Sequence, residues 1–243
     1  LELQPLNNCT VAAVSSLREA PPRHSLLVRL THWINAASSI AFILSGTAIF
    51  LAYPRLHWGE TGTVGIPASI EFPLPFVLEL GIRGPGRYLH FLTAWICLGN
   101  GLIYLVSGFS TGHFRRDLLP RRSDLTWPAL RQVIINHLRL RGAHAEALDS
   151  YNAIQRLTYL LVIFILMPFM FFTGLAMSPA VMSVTPLPVD ILGGQQSART
   201  WHFFAATALV LFLIVHFGLV IVTGFAARMR AMITGHNTPP SRS

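Results

Sequence analysis

From Thr200 to Thr223 the chain runs through twenty-four residues without a single charge. A stretch of that length and apolarity crosses a bilayer as a helix, for which about 20 residues suffice. It nevertheless holds two histidines, His202 and His216. At about 100° and 1.5 Å per residue, their separation brings the second imidazole to within roughly 40° of the first, about 21 Å further along the axis. Both rings therefore point to one side of one membrane helix, one near each leaflet. Ionisable side chains at that depth are costly and are as a rule functional.

Three more apolar runs precede this one, at about Leu27–Leu51, Tyr88–Phe109 and Ile154–Met177, the last interrupted by Pro168, which should kink it. Of 243 residues, 52% are hydrophobic and 12% charged, against about 25% charged in a soluble domain. The formal net charge of +8 comes from arginine alone, since the chain has no lysine. Those arginines sit between the spans and set topology, so the basic balance does not point to nucleic acid. Arg18, Arg23 and Arg29 precede or open the first span; Arg115, Arg116, Arg121 and Arg122 follow the second; Arg228 and Arg230 follow the fourth. The other two connections are poor in arginine, which predicts four helices with both termini cytoplasmic. The expected fold is thus an all-α integral membrane four-helix bundle.

The expected layout is a cytoplasmic leader over 1–24, a four-helix domain over 25–226 and a cytoplasmic tail over 227–243. The leader lacks a basic start followed by an apolar core, so no cleaved signal is expected. Outer loops are placed at about 53–87 and 178–198, and a cytoplasmic loop at about 111–150. In that loop, Trp127, Leu130, Ile134, His137 and Leu138 recur at helical steps, which predicts a short helix lying in the headgroup region. The long first outer loop, with Phe72-Pro-Leu-Pro-Phe76, reads as an ordered cap or docking surface. Cys9 in the leader and Cys97 inside a span are not expected to pair.

A hydroxyl residue followed by glycine recurs near each span's end: Ser45-Gly46, Ser107-Gly108, Thr173-Gly174 and Thr223-Gly224. Small-residue helix packing accounts for such a pattern. A sharper reading applies to Gly46, which follows His32 by the same interval that separates His202 from His216 and would leave room for a planar group at the outer level.

Only four of the ten histidines lie inside apolar spans, and helix direction sorts them. His32 opens an outward-running span and lies near the inner face. His90 opens an inward-running span and lies near the outer face. The inward-running fourth span puts His202 near the outer face and His216 near the inner. Matching levels pairs His90 with His202 and His32 with His216. A lone membrane histidine is commonly a hydrogen-bonded packing residue; four matched in level and face are better explained as ligands. Zinc or a di-iron site would want cysteines or carboxylates nearby, and the spans hold neither Asp nor Glu. Two imidazoles on one iron leave no open position, which suits electron transfer through heme. The other six histidines, His57 among them, fall in loops or the tail, where solvated side chains are the default.

Arg29-Leu-Thr-His-Trp-Ile-Asn35, Gly86-Arg-Tyr-Leu-His90, Tyr151-Asn-Ala-Ile-Gln-Arg156 and Arg199-Thr-Trp-His202, with His216 following, carry a resemblance over nearly everything from His24 to Gly224. The chain resembles the bacterial cytochrome b superfamily of formate dehydrogenase gamma and nickel-hydrogenase cytochrome b subunits, and most of all its thiosulfate-reductase-type branch. The resemblance implies two b hemes on these four histidines and a quinone (menaquinone or ubiquinone) as substrate. It also implies a quinone site at the inner heme, for which Asn152, Gln155 and His216 are the candidates. Asn152 equally suits a helix N-cap, and Ile154 stands where formate dehydrogenase subunits have glycine. Arg29, Arg87, Arg156 and Arg199 lie at span boundaries, where heme propionates and lipid headgroups are competing partners.

The expected protein is a multi-pass subunit of the bacterial inner membrane, passing electrons between quinone and a periplasmic redox partner, a molybdenum-cofactor or iron–sulfur protein. It shows no nucleophile, nucleotide loop or substrate pocket of its own, so a complete enzyme is not expected. Rivals are a self-contained quinone-linked oxidoreductase such as a superoxide oxidase, and a heme-free anchor or transporter.

Overall fold

A computed structural model describes residues 24–60, 65–72, 83–120, 126–128, 131, 135 and 153–236. The leader up to residue 23, Asn152 and most of the Trp127–Arg139 and Phe72–Phe76 segments lie outside them. Helix α1, Leu26–Ala52, begins where the Ser25 hydroxyl accepts the Val28 N–H at 3.3 Å. It is followed by β1 (Arg55–Leu56), which pairs antiparallel with β2 (Ile70–Glu71). Helix α2 covers Arg83–Ser110 and ends in a π-helical turn at Phe114–Leu118.

The third span, Ile154–Ala176, is built from α3 (Ala153–Leu161), a π-helical turn at Val162–Leu166 and α4 (Met167–Ala176). Pro168 stands two residues past that turn, where Met167 donates its N–H to the Val162 carbonyl. The wider turn is how the helix meets a residue that lacks an N–H and crowds the preceding turn. Short helices α5 (Pro179–Met182) and α6 (Leu187–Leu192) then lead into α7, Gln195–Val222. Gly224 takes φ +107°, closed to most side chains, and turns the chain into α8, Phe225–Thr234.

The four spans are apolar on the outside and polar within. Trp95, Val106 and Leu44 are 68%, 68% and 64% exposed, while Thr31, Ser38, Ser45, Thr93, Asn100, Thr173 and Thr200 are buried. In lipid, apolar faces need no protein cover, and small or hydroxyl residues let helices approach and hydrogen-bond. The pattern therefore places the spans in a membrane as firmly as their length does. α1 packs mainly on α2, and α4 on α7. Between α1 and α2, Asn100 donates to the Thr31 carbonyl at 2.9 Å and to Asn35 Oδ1 at 2.8 Å. The buried Cys97 thiol lies 3.8 Å from the same oxygen.

α7 begins at Gln195, five residues before the apolar run, because the first outer loop supplies partners for its polar opening turn. Gly59 O accepts the Gln196 N–H at 2.9 Å, and the Ser197 hydroxyl accepts the Gly59 N–H at 2.8 Å. Gly194, at φ +109°, meets the Gly59 backbone so closely that a Cβ there would overlap it. Trp58 stands edge-on to Trp201, and Arg55 pairs with Glu71 at 2.7 Å across the hairpin. The described part of the loop is thus an ordered cap on the N-terminal end of α7. At the opposite end of the bundle, α8 is fastened to α1, where Trp33 Nε1 donates to the Met232 carbonyl at 3.1 Å and Arg29 to that of Ile233.

Candidate histidine-pair sites

The two histidines of α7 each meet a partner from the other helix pair. His90 of α2 and His202 have ring centroids 6.2 Å apart; His32 of α1 and His216 are 6.4 Å apart. These are the pairs that level matching singles out. Two imidazoles bound on opposite sides of one metal ion at about 2.0–2.1 Å would have centroids roughly 6.4 Å apart, adding about 1.15 Å from nitrogen to ring centre. The separations are too long for a hydrogen bond between the rings and fit a shared axial metal.

The surroundings of the outer pair decide which nitrogen each ring presents. Ser45 donates its hydroxyl to the Ala41 carbonyl at 2.7 Å, as helical serines do. Its oxygen lies 3.0 Å from His90 Nδ1. With the hydroxyl proton on that carbonyl, the Ser45 oxygen is free to accept from Nδ1–H, the tautomer that would leave Nε2 as the candidate ligand atom. Thr173 repeats the device: Oγ1 donates to the Met170 carbonyl at 3.0 Å and lies 2.9 Å from His202 Nδ1. A hydrogen bond on the distal nitrogen is the usual support of a metal-binding histidine.

The glycines that follow those hydroxyls stand against the same rings. A Cβ on Gly46 would lie 3.7 Å from His90 Cε1, and one on Gly174 would lie 3.4 Å from His202 Cε1. So the repeated hydroxyl–glycine dipeptide divides into two uses. Ser45-Gly46 and Thr173-Gly174 serve the outer histidines. Gly108 instead makes room for the Phe114 ring, and Gly224 breaks the fourth span.

At the second pair, His32 Nδ1 is buried without a hydrogen-bond partner among the described residues, and so are Nε of Arg29 and Nε of Arg228. Two of those side chains are cationic, which fits a bound group carrying carboxylates; Arg228 did not stand out in the sequence. Phe212 stacks on His216 with centroids 5.7 Å apart. Tyr159, one turn beyond Gln155 on α3, stands 6.5 Å from His216. The half-buried Gln155 thus belongs to the end of the bundle where His216 lies, and Tyr159 joins it as a residue that sequence reasoning missed.

The boundary arginines have diverse partners. Arg199 donates to the carbonyls of Arg55 and Tyr53 and lies over the Tyr53 ring at 5.0 Å, so it fastens the outer loop to α7. Arg156 donates to the Leu119 carbonyl at 3.2 Å, and Arg87 is exposed. His57 corrects the expectation of a solvated loop residue. It is 3% exposed, takes Tyr53 Oη at 3.0 Å on Nε2, and offers its carbonyl to Thr200 at 2.7 Å. The sequence signal was its place four residues after Tyr53, at the mouth of the loop.

Among the described residues no three of His, Cys, Asp and Glu gather as a metal cluster. Two neighbouring imidazoles are therefore the candidate donors at each level. That set lacks the third and fourth ligands a zinc site needs and fits a macrocycle that fills the remaining positions itself.

Comparison with known proteins agrees with the geometry. The chain is 29% identical over 214 residues to the putative protein-methionine-sulfoxide reductase subunit YedZ1 of Azospira oryzae, covering 88% of this chain and 96% of that one. It is 26% identical over 227 residues to the probable Ni/Fe-hydrogenase B-type cytochrome subunit of Cupriavidus necator, covering 87% and 84%. No solved structure matches the chain significantly. The profile of the prokaryotic cytochrome b561 family matches residues 23–235, all four spans and both histidine pairs included, and the chain belongs to that family.

Proposed function

We propose that the protein carries electrons across the bacterial inner membrane between quinone and a periplasmic redox partner, holding two b hemes on His90–His202 and His32–His216. Family membership makes it a membrane electron-transfer protein of the cytochrome b561 type with heme b as cofactor. The observation that carries the finer reading is the pair of facing imidazoles at each of two levels along α7. Heme b, when bound, supplies reversible one-electron chemistry, and two histidine ligands from the protein would leave no position on the iron for oxygen. The protein's part is to fix ring orientation, exclude water and set the dielectric through the packed hydroxyls, glycines and aromatics around each pair.

The arginine distribution supports cytoplasmic termini, so the His32–His216 end faces inward. Asn152, which lies outside the described residues, and Gln155 are proposed to hold quinone there, with Tyr159 beside His216. The Tyr53–Glu71 cap then lies on the periplasmic side, nearest a partner. Both relatives are named as subunits, which favours a subunit of an oxidoreductase complex over a self-contained oxidase. The partner proposed is a molybdenum-cofactor or iron–sulfur protein.

The test is heme stoichiometry and quinol reduction in the purified chain. Two b hemes per chain, reduced on adding a quinol analogue, is the expected result; no Soret band would sink the reading. Asn152→Leu should slow that reduction and leave heme content unchanged. An unaltered rate would confine Asn152 to helix capping.

A further inference from the structure

We infer that Ser45 and Thr173 are positioning residues that act through His90 and His202 to set the redox potential of the outer site. The inference rests on the ligand reading above and adds to it a function for two hydroxyls in the bilayer.

Each hydroxyl is pinned by its own helix. Ser45 Oγ stands 2.7 Å from the Ala41 carbonyl, and Thr173 Oγ1 stands 3.0 Å from that of Met170. With the hydroxyl protons on those carbonyls, each oxygen offers a lone pair to the histidine on the neighbouring helix, and the Met170 carbonyl is a second hydrogen-bond partner of the His202 ring. The two contacts, 3.0 Å for His90 and 2.9 Å for His202, both fall on Nδ1. Ser45 is 2% exposed and Thr173 0% exposed, so water does not compete for either bond. Two separate helices thus present the same hydroxyl–glycine pair to the two rings of one site, with the glycine against Cε1 in each case.

The chemical consequence follows from the direction of the bond. An imidazole that donates from Nδ1 is richer in electron density at Nε2 and is a stronger donor to an oxidised metal. Two such bonds stabilise the ferric over the ferrous state and hold the outer midpoint potential down. His32 offers a contrast within the same molecule, because its buried Nδ1 has no hydrogen-bond partner among the described residues. The device therefore marks the outer site, and its loss should be felt there alone.

The experiment uses the full-length, heme-loaded chain with variants Ser45→Ala, Thr173→Val and Thr173→Ser. Optical redox titration gives both midpoint potentials, and low-temperature electron paramagnetic resonance gives the g-values of each ferric site. His32→Ala and His90→Ala, each retaining one heme, assign the signals. Ser45→Ala and Thr173→Val should each raise the outer potential and shift the outer g-values, with the inner site unmoved, while Thr173→Ser keeps wild-type values. Loss of the outer heme in Thr173→Val with retention in Thr173→Ser also supports the inference, since Thr173→Ser keeps the hydroxyl that Thr173→Val removes. Unchanged potentials in both Ser45→Ala and Thr173→Val would overturn it, as would equal shifts at both sites. If Thr173→Ser behaves like Thr173→Val, the hydroxyl is irrelevant and the inference fails. A wild-type chain holding fewer than two hemes would instead refute the ligand reading itself.

Discussion

The pairing of histidines across the bundle can be tested by removing them two at a time. His90→Ala/His202→Ala deletes both members of one proposed pair, whereas His90→Ala/His216→Ala deletes one member of each. The two levels lie about 21 Å apart along α7 by helix rise, far beyond the 7–10 Å over which substitutions usually couple. Heme content should therefore fall from two per chain to one in the first variant and to none in the second. The scaffold should tolerate the losses. Without His90, Ser45 keeps its 2.7 Å bond to the Ala41 carbonyl, so no buried donor is orphaned. What His90 gives up is an edge-on contact with Phe42 at 5.1 Å, of the order of 0.5–1.5 kcal/mol. The assay is pyridine hemochrome absorbance against protein concentration in detergent, with circular dichroism to confirm helicity. One heme in each double variant, or none in each, would refute the pairing.

Gly46→Val should remove the outer heme and spare the inner one, because its side chain would grow toward His90 Cε1 from a Cβ only 3.7 Å away; difference spectra of reduced protein report this. Gly194→Ala should destabilise the chain by about 1–3 kcal/mol from the left-handed backbone alone, with more from overlap with Gly59, read as a lower unfolding midpoint in detergent. Asn100→Leu removes both amide bonds between α1 and α2 and should cost about 1–2 kcal/mol, measured by denaturant titration in mixed micelles, with heme content as a separate readout.

Much of this architecture is readable before any coordinates, because a bilayer admits so few solutions. Four long apolar runs leave little choice but four helices, and their helical phase puts His202 and His216 on one face. Levels follow from alternation of direction. Boundaries were less readable where a neighbour completes a helix. α7 gains its first turn from Gly59, whose carbonyl takes the Gln196 N–H and whose N–H meets the Ser197 hydroxyl, contacts made by a loop more than a hundred residues earlier in the chain. The burial of His57 has the same origin, since Thr200 and Tyr53 close over it.

The hydroxyl–glycine dipeptides show where sequence reasoning reaches its limit. All four look alike along the chain, and small-residue packing explains any one of them. What separates Ser45 and Thr173 from Ser107 and Thr223 is which helix stands opposite and at what depth. Span phase is fixed locally, but the rotation of one helix against another depends on interhelical contacts. In a membrane those contacts are few and polar, so each one that exists carries more of the specification. Here the contacts that orient α2 and α7 include the hydroxyl bonds to His90 and His202. The bonds that set helix rotation are thus the same bonds that meet Nδ1 of both rings and leave Nε2 as the proposed ligand atom, so the packing that builds the bundle would also assemble the proposed outer site.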